Sequence, residues 1–316
     1  MDQLYDLKYY KDQLDFYKTT LMGSIEYAKR IQAAIMPSNE ELTKILPQIF
    51  ILYKPRDIVS GDFYWLSKKD KYKVIIAATD CTGHGIPGAF MSMLGVSFLN
   101  EIVNTNRIYK PSEILNSLRE NVIKTLRQTG KEGEAQDSMD MALITINEQN
   151  KTIEFAGAYN SLYLIRSKGE MLDKTSEIEI ANSYIESTDK YSLIEIKADR
   201  MPTGINLKYG EFQKNLFDYP LKRKLFLTKL RENYPFKNNI IKYYENDTLY
   251  LFSDGYIDQF GGSEGKRLKS NGFKKLLLSI QDSSMMEQRN ILNSKFLEWK
   301  GGLDQVDDIL IIGIKL

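Results

Sequence analysis

Aspartates at the ends of apolar runs are the residues best placed to do chemistry. Asp80 closes an apolar run at 74–78; a turn with Gly83, Gly85 and Gly88 follows, then helical apolar spacing through Phe90, Met93, Leu94 and Leu99. A carboxylate at a strand tip, with glycines that let backbone approach, suits a hard metal ion or a phosphate. Asp62 follows Gly61 inside IVSGDFYWL, which reads as a strand with a glycine bend. Asp254 closes TLYLFS and precedes Gly255, and Asp307 and Asp308 open the last apolar run, 309–314. A charge in or beside a buried strand is costly unless it is paired or metal-bound. One such aspartate alone reads better as a turn former or a solvated strand end; four such places sharing one design point to convergence. Converged carboxylates demand cations, and with no matching histidine or cysteine set the ions are Mg²⁺ or Mn²⁺ rather than zinc. Two such ions can share an activated water for in-line attack at phosphorus.

Composition removes several other chemistries. The formal net charge is +1, so bulk electrostatics make no case for nucleic acid or a membrane surface. Cys81 is the lone cysteine, which excludes an internal disulfide framework and fits a reducing cytoplasm. His84 is the lone histidine, and no serine or cysteine stands in an evident nucleophile–base arrangement. The first ten residues are polar and charged, unlike a signal peptide, and no apolar run approaches the roughly 20 residues of a membrane span. The expectation is a cytoplasmic protein or the output part of something longer.

The elements that must position these aspartates follow from periodicity. Residues 1–36 read as one helix with Leu7, Leu14, Leu21, Ala28 and Ile35 at heptad spacing, and Tyr10, Tyr17 and Ile31 three residues after members of that series. This is either a coiled-coil-like seam or an amphipathic helix packed on its own domain. Pro37 ends it, and SNEE at 38–41 reads as a capped restart. Strands are expected at 50–53, 58–66 and 72–79, then a helix to about 103 and a second at 111–127. Residues 139–146, 152–158 and 161–166 read as a three-stranded antiparallel meander with turns at 148–151 and 159–160. Residues 167–244 lack a sustained period and read as an elaborated insertion, with a strand near 194–196 and a basic, partly apolar stretch at 216–230. A strand at 248–253, helices at 273–280 and 287–299, and the strand 309–314 complete the chain.

The series RDIVSGDFYW, ATDCTGHGIPGAFMSMLG, DSMDMALITI, FAGAYNSLYLIR, LFSDGYIDQFGG and VDDILIIGI resembles the bacterial PPM (type 2C) serine/threonine phosphatases, most closely the SpoIIE/RsbU-like branch, in the family's order over about residues 36–316. The resemblance implies an α+β fold: an αββα four-layer sandwich of two antiparallel sheets flanked by helices, here preceded by the N-terminal helix. It implies a dinuclear Mn²⁺ or Mg²⁺ site at one end of the sandwich. It also implies a phosphoserine or phosphothreonine protein substrate, often an anti-sigma-factor antagonist with a STAS fold, and direct hydrolysis by metal-activated water without a phosphoenzyme. By position, Asp62 and Asp80 match the shared metal carboxylates, the Cys81 carbonyl matches the ligand just after them, and Asp254 and Asp307 match the remaining metal aspartates. Asp308 is then a supporting group or strand-entry cap. His84 sits in the signature turn, where it serves as a proton donor or orients the turn. Arg56 matches a phosphate-gripping arginine, and Asp137 and Asp140 lie near a third metal position of some relatives. The division implied is a regulatory helix at 1–36, a phosphatase domain at 37–316 and a flap region at 167–244. In this branch the N-terminal helix joins a sensor or a second copy to the phosphatase. The competing readings are a catalytically weak phosphoprotein-binding scaffold and a phosphoesterase acting on small molecules.

Overall fold

The computed structural model describes residues 2–129, 136–170, 183–205, 230 and 234–316. The architecture is the expected one: two antiparallel sheets face to face, with helices outside each. One sheet has five strands in the order β2 (Phe63–Lys68), β3 (Lys73–Cys81), β4 (Met139–Asn147), β5 (Thr152–Ala158) and β9 (Asn239–Lys242). The other has six, in the order β1 (Ile49–Lys54), β13 (Ile309–Lys315), β10 (Thr248–Phe252), β6 (Leu162–Ser167), β8 (Tyr191–Ile196) and β7 (Ser183–Ser187). The short pair β11 (Phe260–Gly261) and β12 (Lys266–Arg267) lies apart.

Side chains alternate across each strand, and this divides the apolar residues into three layers. Val74, Ile76 and Ala78 of β3 meet Leu310, Ile312 and Ile314 of β13 between the sheets. Ile75 and Ala77 point the other way, onto helices α3 (Gly85–Leu99) and α4 (Pro111–Thr125). Ile309 and Ile311 face α6 (Lys269–Ser279) and α7 (Met285–Lys300) on the opposite flank. α3 continues as a π-helical segment, Asn100–Thr105. By length and composition residues 85–105 pass for a membrane span, contrary to the sequence expectation. Val96, Leu99, Ile102 and Val103 are nevertheless buried in the layer between the five-stranded sheet and the helices, as in a core helix.

Helix α1 (Asp2–Ile35) stands mostly clear of this body. Leu7, Leu14 and Leu21 are 72%, 67% and 58% exposed, so the heptad seam has no cover over most of its length. Only the last turns dock, through half-buried Ile25, Ala28 and Ile35 and buried Gln32. α2 (Asn39–Ile45) starts as expected, with Ser38 and Glu41 exchanging capping hydrogen bonds.

Three sequence expectations change. The meander does not form: β4 and β5 pair, but β6 crosses to the other sheet, where it lies between β10 and β8. Both runs are buried on both faces, so their apolarity carries no information about which sheet each joins. The strand expected at 58–66 begins only at Phe63, because the preceding segment is held by side chains rather than by a ladder. The region 167–244 is less of an appendage than its composition suggests, since it supplies β7, β8 and β9 to the two sheets. The stretch 216–230, apart from Leu230, lies outside the described residues.

Candidate metal-dependent active site

The ends of β3, β4, β10 and β13 meet at one end of the sandwich, and their register brings the carboxylates there. Asp80 on β3 lies directly opposite Asp140 on β4. Asp254 follows β10 at the N-cap position of the short helix α5 (Gly255–Asp258), without a capping hydrogen bond from its side chain, and Asp307 and Asp308 lead into β13. Asp62 enters β2, buried at 1% exposure. Gly61 and Gly88 explain how this segment reaches the site: a Cβ on either would run into the Gly83 carbonyl oxygen, so only glycine allows the loop, the signature turn and α3 to meet.

Asp62 and Asp308 are held by hydrogen bonds. The Ser253 hydroxyl donates to Asp62 Oδ2 at 2.5 Å and itself accepts from Leu310 N at 2.9 Å. Asp308 accepts from Gly61 N and from Arg56 N, both at 2.7 Å, and so ties the loop before β2 to the start of β13. Asp308 is thus the supporting group that the resemblance implied as one alternative.

The remaining acids surround a cleft of about 210 Å³ whose walls include Asp80, Cys81, His84, Asp140, Asp254 and Asp307. Burial, followed by the charges of Asp62, Asp254, Asp307 and Asp140, pushes the Asp80 carboxyl well above the ordinary range. Burial likewise raises Asp62, with the charges of Asp308, Asp307 and Asp254 adding to it and the Ser253 hydrogen bond opposing. Asp140 is pushed up to about 7 by burial and by Asp254. Asp254 is pushed up to about 6 by burial and by Asp307, against a hydrogen bond with Asp80. Burial raises Asp307 as well, opposed by its hydrogen bond from Asp308 N. No ion pair among the described residues reaches any of these five. Nor do any three acidic, histidine or cysteine side chains among the described residues already converge on one point at ligating distance. The oxygen-only carboxylate side chains, with Cys81 also lining the cleft, fit a hard divalent ion.

The other sequence candidates lie at the margins. His84 Nδ1 is 2.7 Å from Asp57 Oδ2, and His84 borders both the acidic cleft and a groove running beneath α1. Arg56 lines that groove rather than the acidic cleft, and its guanidinium donates to the Val306 carbonyl at 3.0 Å. Asp137 is not among the cleft-lining residues, and its carbonyl accepts from Gln128. Three residues escape a motif-based reading: Ser253, Asp57 and Gln32. Ser253 had the one available signal, its place beside Asp254 in FSDG.

Comparison with known proteins agrees with this geometry. Residues 70–182, which carry β3, the signature turn, α3, α4, β4, β5 and β6, match the family model for Stage II sporulation protein E (SpoIIE). The SiaA PP2C domain of Pseudomonas aeruginosa superposes with a TM-score of 0.73 at 26% identity, covering 95% of this chain and 98% of that one. A structure of the PP2C phosphatase domain with a fragment of the regulatory domain of SpoIIE from Bacillus subtilis gives a TM-score of 0.55 at 14% identity, over 85% of this chain and 63% of that one. The RsbU and RsbW domains of Rv1364c from Mycobacterium tuberculosis give 0.51 at 15% identity, over 84% and 59%. At such identities these last two speak for the fold alone. No curated protein matches the chain. The full-length likeness to a PP2C domain, the SpoIIE match across the central motif and the acidic cleft between the sheets point the same way: residues 70–182 carry a SpoIIE family domain, the chain has the fold of the PP2C phosphatase domains, and together these support a SpoIIE/RsbU-like serine/threonine phosphatase of the PPM type.

Proposed function

We propose that the chain removes phosphate from a phosphoserine or phosphothreonine of a regulatory protein, with two Mn²⁺ or Mg²⁺ ions held by Asp62, Asp80, Asp254, Asp307 and the Cys81 carbonyl. The observation that carries this reading is the convergence of Asp62, Asp80, Asp254 and Asp307 at one end of the sandwich, with Asp80, Asp254 and Asp307 around one cleft and Asp62 buried beside it. Bound ions would neutralise these acids, polarise the phosphoryl oxygens and make water a nucleophile near neutral pH. The chain's own residues do the rest. Ser253 fixes the orientation of Asp62, and Asp308 holds the loop that delivers it. Asp140, across the ladder from Asp80, completes the negative wall and is the residue placed for a third, weaker ion. His84, held by Asp57, stands at the cleft mouth where a departing seryl or threonyl oxygen needs a proton.

Regulation runs through residues 1–36, with 37–316 as the phosphatase domain. Gln32 is buried at the end of α1 and grips the strand-entry loop: its Nε2 donates to Ser60 O at 2.6 Å and to Ser92 Oγ at 2.8 Å, and its Oε1 accepts from Ser60 N at 3.1 Å. Ser60 is two residues before Asp62, so a shift of α1 is felt directly at a metal carboxylate. The exposed Leu7–Leu14–Leu21 seam is where a second copy or a sensor would act, in the cytoplasm, where a STAS-type phosphoprotein is a fitting substrate.

The test is turnover of p-nitrophenyl phosphate and of a phosphoserine peptide, with and without Mn²⁺, for the wild type and Asp80→Asn. Mn²⁺-dependent release of phosphate that disappears in Asp80→Asn is expected. A wild type inactive with Mn²⁺ at every pH, also when fused to a dimerising segment, would remove the enzyme reading in favour of a binding scaffold. Activity unaffected by Asp80→Asn would remove the site assignment. For α1, analytical ultracentrifugation compares the full chain with one starting at Pro37; equal monomeric masses would sink the dimer.

A further inference from the structure

A second cleft, of about 370 Å³, opens beside the acidic one and shares its wall: Asp140 and Asp254 face both. Beyond them, polar Asn160, Ser161, Glu195 and Ser270 and apolar Phe252 and Ile257 share its wall. The Nδ2 of Asn160 is buried and has no hydrogen-bond partner among the described residues. An unpaired buried amide costs free energy, and a fold keeps one where something outside the chain can satisfy it.

The backbone that presents Asn160 is built with some effort. Tyr159 sits at φ 57, a left-handed conformation uncommon for an aromatic residue. The turn is held by Tyr159 N donating to Asp199 O at 2.9 Å and by Asp199 N donating to Gly157 O at 3.0 Å. A Cβ at Gly157 would strike the Asn160 carbonyl and Ala198, so the glycine lets the turn fold back this tightly. This is the point where the chain leaves the five-stranded sheet for the six-stranded one, a crossing that needs a turn but does not need an asparagine with an idle donor.

We infer that this second cleft is the seat of the polypeptide next to the phosphorylated residue, with the Asn160 side chain, which lines the cleft, turning its buried amide to donate to a main-chain carbonyl of the substrate. The inference rests on the phosphatase reading. With the phosphoryl group among Asp80, Asp254 and Asp307, the neighbouring residues pass over Asp140 and Asp254 into the second cleft. There a carbonyl meets the free amide and an apolar or small side chain lies on Phe252 and Ile257. A main-chain contact recognises that the substrate is a peptide without reading its sequence, which separates protein phosphatase activity from hydrolysis of small phosphate esters.

The experiment is the ratio of kcat/KM for an alanine-flanked phosphoserine peptide to kcat/KM for p-nitrophenyl phosphate, which is too small to extend beyond the acidic cleft. The ratio is independent of how much of each preparation is folded. For Asn160→Ala it falls about tenfold, the worth of one hydrogen bond, and the loss appears in KM for the peptide. Ile257→Trp, which fills the cleft from a different element, lowers the same ratio at least as much. A ratio unchanged from wild type in either variant overturns the inference. A wild type that hydrolyses neither substrate would be the failure of the phosphatase reading itself, and would sink both.

Discussion

Asp80 and Asp308 stand at the same end of the sandwich, one on each sheet, and they live in opposite circumstances. Both oxygens of Asp308 accept backbone N–H groups, from Arg56 and Gly61. Asp80 meets Asp62, Asp254, Asp307 and Asp140, and its carboxyl is pushed well up by burial and by their charge. A carboxylate whose lone pairs are filled by the chain holds structure together. One surrounded by other carboxylates destabilises the fold unless something meets their charge. The contrast separates scaffold from chemistry among residues that look alike in the sequence, where Asp307 and Asp308 are neighbours.

The largest expected effect comes from Asp80→Asn. Phosphatase activity should drop on the order of 10³-fold, comparable to loss of a principal charge-stabilising group. The metal-free protein should meanwhile melt at a higher temperature than wild type, because one like charge is gone. If thermal denaturation instead shows Asp80→Asn to be less stable without metal, the contrast with Asp308 collapses.

Asp308→Ala should do the reverse. It leaves the N–H groups of Arg56 and Gly61 without partners, at a cost of about 3 kcal/mol measurable by urea unfolding. An unfolding midpoint equal to wild type would show that the loop before β2 is held by other means.

The acids of the cleft also set a pH dependence whose sign is unusual. Asp254 and Asp140 hold their protons up to about 6 and about 7 in the folded state, against an ordinary value of 3.8. The folded chain therefore binds more protons than the unfolded one in this window. Their contribution to stability is fully present below the ordinary carboxylate range and is lost as pH rises through about 6 and about 7. The metal-free protein should lose thermal stability from about pH 4 to about pH 7. Mn²⁺ at a hundredfold excess over its Kd should restore about 2.7 kcal/mol at the alkaline end. A melting temperature that is flat with pH and indifferent to Mn²⁺ would contradict the carboxylate cluster.

The smallest effect is expected from Ser253→Ala, which frees Asp62 Oδ2 from its hydroxyl partner. The Mn²⁺ concentration for half-maximal activity should rise about tenfold, as for other groups that orient a ligand from behind. An unchanged Mn²⁺ requirement would mean that Asp62 is oriented by burial alone.

How much of this was legible beforehand varies by element, for physical reasons. The end of β3 at Asp80 and the start of β13 after Asp308 were readable because apolar runs stop sharply at charge. The capping box at Ser38 and Glu41 was readable because it is a local pattern of hydrogen bonds. The crossing of β6 was not, since a strand buried on both faces carries no periodicity to say which sheet it joins. Ser253, Gln32 and Asp57 were not, because each acts on a residue at least 27 positions away, through a contact that no local pattern encodes.

The sequence by itself determined the strand ends, their aspartates, the glycines around them and the preference for oxygen-binding ions. All of these follow from residue type and near-neighbour spacing. Only the tertiary structure decided which aspartate is held by backbone N–H groups and which faces other carboxylates, that Gln32 reaches the loop of Asp62, and that a second cleft opens beside the first. Those outcomes depend on hydrogen bonds and charges brought together from opposite sheets, and that convergence exists only once the two sheets have packed.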